Sequence, residues 1–221
     1  MKGKTIYGFG DSLVEGHCLK VGMLDALAEK NGMKLVKYAR NGATVIPDSS
    51  NADERGLVPD VAEQIVRASE EVPDYVCFDG LTNDACRPEP AKWLGKMETG
   101  YQGPFDTATF YGAFERVCQL LRTKYQESRV IYICVHKMPT RDFAAQDILQ
   151  KAAREVCAKW SIPCVDIYRS GLINTCLDGM RKAYSYNTAE FPQDGNGTHL
   201  NAAGYEKWYL PMIEQALIYG I

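Results

Sequence analysis

A serine and a histidine far apart in this chain stand in settings that would let them work together. Ser12 lies in Gly10-Asp11-Ser12-Leu13, directly behind an apolar run, and His199 lies in Gly197-Thr198-His199-Leu200-Asn201 near the other end. A serine hydroxyl is a weak nucleophile at neutral pH. It needs a base within hydrogen-bond reach, and an imidazole can take its proton and later return it to a leaving alcohol. Attack on an ester carbonyl also places negative charge on the carbonyl oxygen, which donors fixed in advance must stabilise. Taken alone, Gly-Asp-Ser-Leu is equally well read as a serine capping a helix after a strand.

Two other readings of the same glycines fail. A dinucleotide loop starting at Gly8 and Gly10 requires a third glycine at position 13, which is Leu13. The Gly-x-Ser-x-Gly elbow requires glycine at position 14, which is Val14.

Four separated blocks, in order and spread over nearly the whole chain, instead make the sequence similar to the SGNH (GDSL-type) hydrolases. They are Gly10-Asp11-Ser12-Leu13, Asn41-Gly42, Gly80-Leu81-Thr82-Asn83-Asp84 and Gly197-Thr198-His199-Leu200-Asn201. The resemblance implies Ser12 as nucleophile and His199 as base. It also implies an oxyanion hole formed by the N–H groups of Ser12 and Gly42 and the side-chain amide of Asn83. Seen alone, Gly42 and the Asn-Asp pair are ordinary turn residues. The chain departs from the family at the third triad member. Where the family has Asp three residues before the histidine, this chain has Asn196, and the nearest carboxylate is Asp194. Asn196 could accept a hydrogen bond from the imidazole but could not offset an imidazolium charge. Asp194, flanked by Gly195, could fold back in an enlarged loop. A Ser-His dyad helped by a backbone carbonyl is the third option. Asp11 and His136 are placed at the substrate pocket, His136 because it follows a strand at the same edge; a plain loop histidine is the other reading.

These residues must be brought to one edge by the elements between them. Apolar segments 4–9, 34–39, 74–79, 129–135 and 163–167 predict strands. Helices are predicted over 18–31, 60–69, 108–125, 143–160 and from 202 to about 218. Strands that are apolar throughout and alternate with helices predict a parallel sheet covered on both faces. Together with the resemblance, this gives an α/β class: a three-layer α/β/α sandwich on a flavodoxin-like, five-stranded parallel sheet. The expectation is one domain over 1–221. The long stretches 85–106 and 168–198 would be loops over the site. Their aromatic residues, Trp93, Tyr101 and Phe105 in the first and Tyr184, Tyr186 and Phe191 in the second, would either wall the site or pin the loops to the body.

Composition narrows the class further. With 221 residues, 46% hydrophobic and 24% charged, the chain has the make-up of a globular domain. A net charge of −3 with scattered Lys and Arg argues against nucleic acid as a partner. No segment is long and apolar enough for a membrane span, and the opening residues run straight into a strand rather than a signal peptide. The eight cysteines contain no Cys-x-x-Cys pair and read as buried free thiols. A cytoplasmic location is expected on these grounds, although a native leader could precede the sequence. Neither a metal nor another cofactor is expected.

The function expected is therefore a cofactor-independent serine esterase acting on a small-molecule ester. It would cleave a short acyl group, such as acetyl, from a sugar or other small alcohol through a Ser12 acyl-enzyme. A binding module that keeps the fold without turnover, and an acyltransferase using the same pair, are the alternatives.

Overall fold

The computed structural model describes residues 1–17, 21–186 and 195–220. Its centre is a five-stranded, all-parallel sheet. The strands are β1 (Thr5–Phe9), β2 (Lys34–Lys37), β5 (Tyr75–Phe78), β6 (Arg129–Cys134) and β7 (Cys164–Asp166), in the order β2-β1-β5-β6-β7. A two-stranded hairpin, β3 (Ala52–Asp53) and β4 (Gly56–Leu57), stands apart from it. The register, with Ile6 opposite Leu35 and Tyr75, and Tyr75 opposite Arg129, puts the strand ends level along one edge.

Alternation along the strands builds a core on each face. Tyr7, Phe9, Val76, Phe78, Tyr132 and Cys134 point to one side, where α3 (Val61–Arg67), α4 (Phe110–Lys124) and α5 (Phe143–Lys159) cover them. Ile6, Cys77, Ile131 and Ile133 point to the other, against α2 (Asp25–Asn31) and α9 (Leu210–Tyr219). Both faces are dry, which is why these strands read as continuous apolar runs rather than as alternating ones.

The helix predicted over 18–31 is shorter than expected, starting only at Asp25. Gly22 explains the delay. A Cβ there would lie 2.4 Å from the Val14 carbonyl oxygen, so the chain at Gly22 packs closely over α1 (Ser12–Glu15), a one-turn helix that periodicity could not reveal. The last helix is divided into α8 (Ala202–Gly204), a π-helical turn (Tyr205–Tyr209) and α9. The second long stretch contains the short helices α6 (Ile167–Ser170) and α7 (Asp178–Tyr184).

The first long stretch runs away from the catalytic edge rather than over it. Tyr101 and Phe105 meet Trp160, at the far end of α5, edge-on at 5.2 and 6.2 Å, and Lys159 donates to the carbonyls of Glu98 and Gly100. Its aromatics pin the loop to the body. No helix among the described residues is long and apolar enough to cross a membrane.

Candidate active site

In this strand order the direction of strand addition reverses between β1 and β5, and ligands of open α/β sheets bind at the carboxyl ends of the strands flanking such a reversal. Ser12 follows β1 and Asn83 follows β5. Asp11 starts α1: its side chain accepts the Leu13 N–H at 3.0 Å, and Gly16 ends the turn in the left-handed conformation. This turn brings Ser12 Oγ to 2.8 Å from His199 Nε2, across 187 residues of sequence. The hydroxyl expected to act as nucleophile and the imidazole expected to act as base are thus in hydrogen-bond contact.

Beneath Ser12, Asp11 and Asp79 are wholly buried side by side, with the Asp11 N–H donating to Asp79 Oδ1 at 3.0 Å. Burial raises both acids, and for Asp79 the neighbouring Asp11 charge adds to the rise. Gly10 is required here. Its φ of +131° is in glycine's range, and a Cβ would fall 1.7 Å from Asp79 Oδ1. Asp11 was expected to line the substrate pocket; as the buried cap of α1 it does not reach it.

The residues expected to form an oxyanion hole lie on the next two loops, tied to the first by hydrogen bonds. Arg40 N–H donates to the Gly10 carbonyl at 3.0 Å, and Asn83 Nδ2 donates to the Ala43 carbonyl at 2.9 Å, leaving one amide hydrogen of Asn83 over. Asp84, buried and pushed up to about 6 by desolvation, accepts from Val45 N–H and Ile46 N–H at 2.8 and 3.0 Å and holds the loop beyond Gly42. Among the described residues, the N–H groups of Ser12 and Gly42 have no intramolecular acceptor. Three N–H donors on these loops, those of Ser12, Gly42 and the Asn83 amide, are therefore left without an acceptor among the described residues.

The histidine loop is fixed from behind. Gly197 N–H donates to Ser185 Oγ at 2.7 Å, and the Gly197 carbonyl accepts from Thr175 Oγ1 at 2.6 Å and from His136 Nε2 at 2.9 Å. The Tyr209 hydroxyl, on the π turn, accepts the His136 N–H at 3.0 Å and lies 2.6 Å from His136 Nδ1. His136 is fully buried, with both ring nitrogens engaged and its pKa pushed down to about 4 by desolvation. It braces the His199 loop from inside and does not line the pocket, because the Gly197 turn closes over it.

The position expected for the orienter is occupied differently. Asn196 Oδ1 accepts from Thr198 N–H at 2.9 Å and His199 N–H at 3.2 Å, and its Nδ2 lies 3.5 Å from His199 Nδ1. Turning the amide over would aim its NH₂ at two N–H donors, so the orientation follows from the network. An NH₂ at Nδ1 favours the proton on Nε2, the wrong nitrogen for a base to Ser12. Asn196 shapes the turn and offers the imidazole no acceptor. Asp194, and with it Phe191, lies outside the described residues.

Comparison with known proteins bears on these four blocks together. The model of the GDSL-like lipase/acylhydrolase family matches residues 9–207. The chain belongs to this family. Solved structures share the fold of this GDSL-like protein at low identity. A Lactobacillus plantarum protein aligns with a TM-score of 0.78 at 18% identity, over 100% of this chain and 99% of the other. A lipase/acylhydrolase from Enterococcus faecalis gives 0.58 at 21%, over 96% and 95%. A member of the lipolytic G-D-S-L family from Veillonella parvula gives 0.57 at 14%, over 97% of both chains. No curated protein matches this sequence.

Three neighbours of the GDSL-like site carry no sequence signal of their own. His17 stacks on His199, ring centroids 4.0 Å apart and planes 4° from parallel. Its left-handed backbone, φ +41°, is one only the fold reveals. Arg141 donates through Nε to the Thr82 carbonyl at 2.7 Å and through Nη1 to Thr140 Oγ1 at 3.1 Å, while Thr140 Oγ1 bonds Thr198 Oγ1. Its guanidinium is thus held between the neighbours of Asn83 and His199. Burial first, then the charges of His17, Arg141 and His136, push His199 down to about 3. Glu15 is the third and is taken up below. Ser12 and His199 border a narrow crevice walled by Val21, Tyr186, Leu200 and Tyr205, and next to it lies a cleft of about 660 Å³ lined by charged and polar side chains, including Arg40, Asn41 and Arg55. His17 borders both.

Proposed function

We propose that the protein is a serine esterase that removes a short acyl group, such as acetyl, from a polar small alcohol. The observation that carries this reading is the 2.8 Å contact between Ser12 Oγ and His199 Nε2. In the reaction Ser12 Oγ bonds to the ester carbon while its proton passes to Nε2. The carbonyl oxygen becomes an oxyanion held by Ser12 N–H, Gly42 N–H and Asn83 Nδ2. The bond to the alcohol oxygen then breaks, and that oxygen leaves with the proton from Nε2. Water repeats the sequence on the acyl-enzyme: its proton goes to His199, its oxygen to the acyl carbon, and the proton returns to Ser12 Oγ as the acid departs. Asn196 has no acceptor to offer, so the orienting carboxylate of this proposal is Asp194.

The NH₂ of Asn196 facing Nδ1 favours a second reading, a fold kept for binding without turnover. Labelling by a fluorophosphonate, with Ser12→Ala as control, separates the two. The esterase reading expects stoichiometric labelling lost in Ser12→Ala, together with hydrolysis of p-nitrophenyl acetate. A folded protein that is neither labelled nor hydrolytic would sink it.

A further inference from the structure

Gly42 is surrounded by held peptide groups. The Gly42 carbonyl accepts from Asn51 Nδ2 at 2.8 Å, Ala43 N–H donates to the Arg40 carbonyl at 3.0 Å, and the Ala43 carbonyl accepts from Asn83. The remaining neighbour, Asn41 N–H, donates to Glu15 Oε2. Glu15 lies three residues beyond Ser12 on the same turn of helix, so this bond joins the nucleophile's own helix to the loop bearing the Gly42 donor.

The Glu15 carboxylate is itself fixed. Arg55, on the β3–β4 hairpin, donates to its Oε1 at 2.7 Å and reaches Oε2 at 3.4 Å. Arg55 also touches Asp53 Oδ2 at 3.3 Å, and Arg40 clamps Asp53 through Nε at 3.1 Å and through Nη2. Arg40 precedes Asn41 in the chain, so the contacts close a ring: Glu15, Arg55, Asp53, Arg40, Asn41 and back to Glu15. A closed ring of charge-assisted bonds, only about a fifth exposed at Glu15 and Asp53, holds its members to one geometry better than an isolated surface pair does.

Resting on the esterase reading above, we infer that Glu15 is a positioning residue that sets the Gly42 N–H relative to Ser12. It touches none of the reacting atoms. Its effect falls on the transition state, where the oxyanion forms, and not on binding of the uncharged ester.

The test compares Glu15→Ala and Glu15→Gln with wild type on p-nitrophenyl acetate. It also measures inhibition by methylboronic acid, which adds the serine oxygen to become a tetrahedral anion. Rates are scaled to the fluorophosphonate-titrated sites. In Glu15→Ala, kcat is expected to fall about 10- to 100-fold with KM within about threefold, and the boronate to weaken by a similar factor, as a donor displaced by about an ångström requires. Glu15→Gln still accepts the Asn41 N–H and is expected to recover kcat to within about fivefold of wild type. An unchanged kcat in Glu15→Ala, a loss of kcat with unchanged boronate affinity, or Glu15→Gln as impaired as Glu15→Ala would each overturn the inference. Where Glu15→Ala does not fold, Glu15→Met keeps the side chain's length without the acceptor and takes its place. A wild type that is inactive and unlabelled defeats the esterase reading; an active wild type matched by Glu15→Ala defeats this inference alone.

Discussion

A base at Ser12 must be neutral to accept its proton, and His199 is held neutral far below the usual histidine range. Its pKa of about 3 comes from burial first and from the cationic field of His17 and Arg141 after that. A carboxylate at Nδ1 works in the opposite direction, since it stabilises the imidazolium. The two candidates for the third residue therefore differ in the acid limb of kcat/KM, which reports the free enzyme. With Asp194 as orienter, the wild-type limb is expected above the value that burial and the neighbouring groups alone would set. In Asp194→Asn it should drop toward the field-depressed value, with kcat lower by roughly 10³- to 10⁴-fold. Asn196→Ala should leave the limb in place. A limb that stays put in Asp194→Asn removes Asp194 from the reaction and leaves a Ser-His dyad. At this scale Ser12, Gly42, Asn83 and His199 were legible because each sits in a short block with its own local geometry. His17, Glu15 and Arg141 were not, because a ring stack, a cross-loop carboxylate and a bracketed guanidinium exist only once distant segments meet.

At the scale of elements, what positions the site is how β1, β5 and β6 end. β1 and β5 end on Asp11 and Asp79, whose buried carboxyls pack against Gly10 and carry Ser12 above them. Each acid is raised above its unfolded value of 3.8. The stability this contributes is complete below pH 3.8 and is lost as pH climbs through the folded values. Asp79→Asn supplies a neutral group of the same shape. The urea midpoint of wild type is therefore expected to fall as pH rises above about 4, and that of Asp79→Asn to fall less. Parallel slopes would mean the raised Asp79 carboxyl contributes nothing. β6 ends on His136, whose link to Tyr209 and Gly197 makes the π turn part of the histidine loop's support. Tyr209→Phe leaves buried His136 groups without their partner. It should cost about 1–3 kcal/mol by urea denaturation and lower kcat more than it raises KM. Unchanged kcat would show that the brace serves folding only. The strands were readable because continuous apolar runs have few other uses. α1 and the β3–β4 hairpin were not, since a one-turn helix and two-residue strands are too short to show a period.

The molecule as a whole decides what kind of ester reaches the serine. The strand alternation made the sheet legible from sequence, but not the course of the long loops: the first turns away to Trp160, and the second folds partly into α6 and α7. Ser12 borders the narrow crevice, and His17 stands between that crevice and the cleft of about 660 Å³. A cleft of that size is within the range of about 300–1,000 Å³ typical of small-molecule sites. Most of its charges are paired: Lys37 with Asp25, Arg40 with Asp53, Arg55 with Glu15. Such a wall offers hydrogen bonds to hydroxyl groups and gives little to a hydrocarbon tail. A long acyl chain gains about 0.8 kcal/mol per methylene only where apolar surface covers it, and an ion-paired wall forfeits most of that while leaving polar groups to be desolvated. Across p-nitrophenyl esters from acetate to palmitate, kcat/KM is therefore expected to be highest at acetate and at least about tenfold lower at palmitate. An acetylated monosaccharide should compete with p-nitrophenyl acetate for the same site. Greatest activity on palmitate would mean that the acyl chain lies along a surface other than these two, and the short-acyl reading would fall with it.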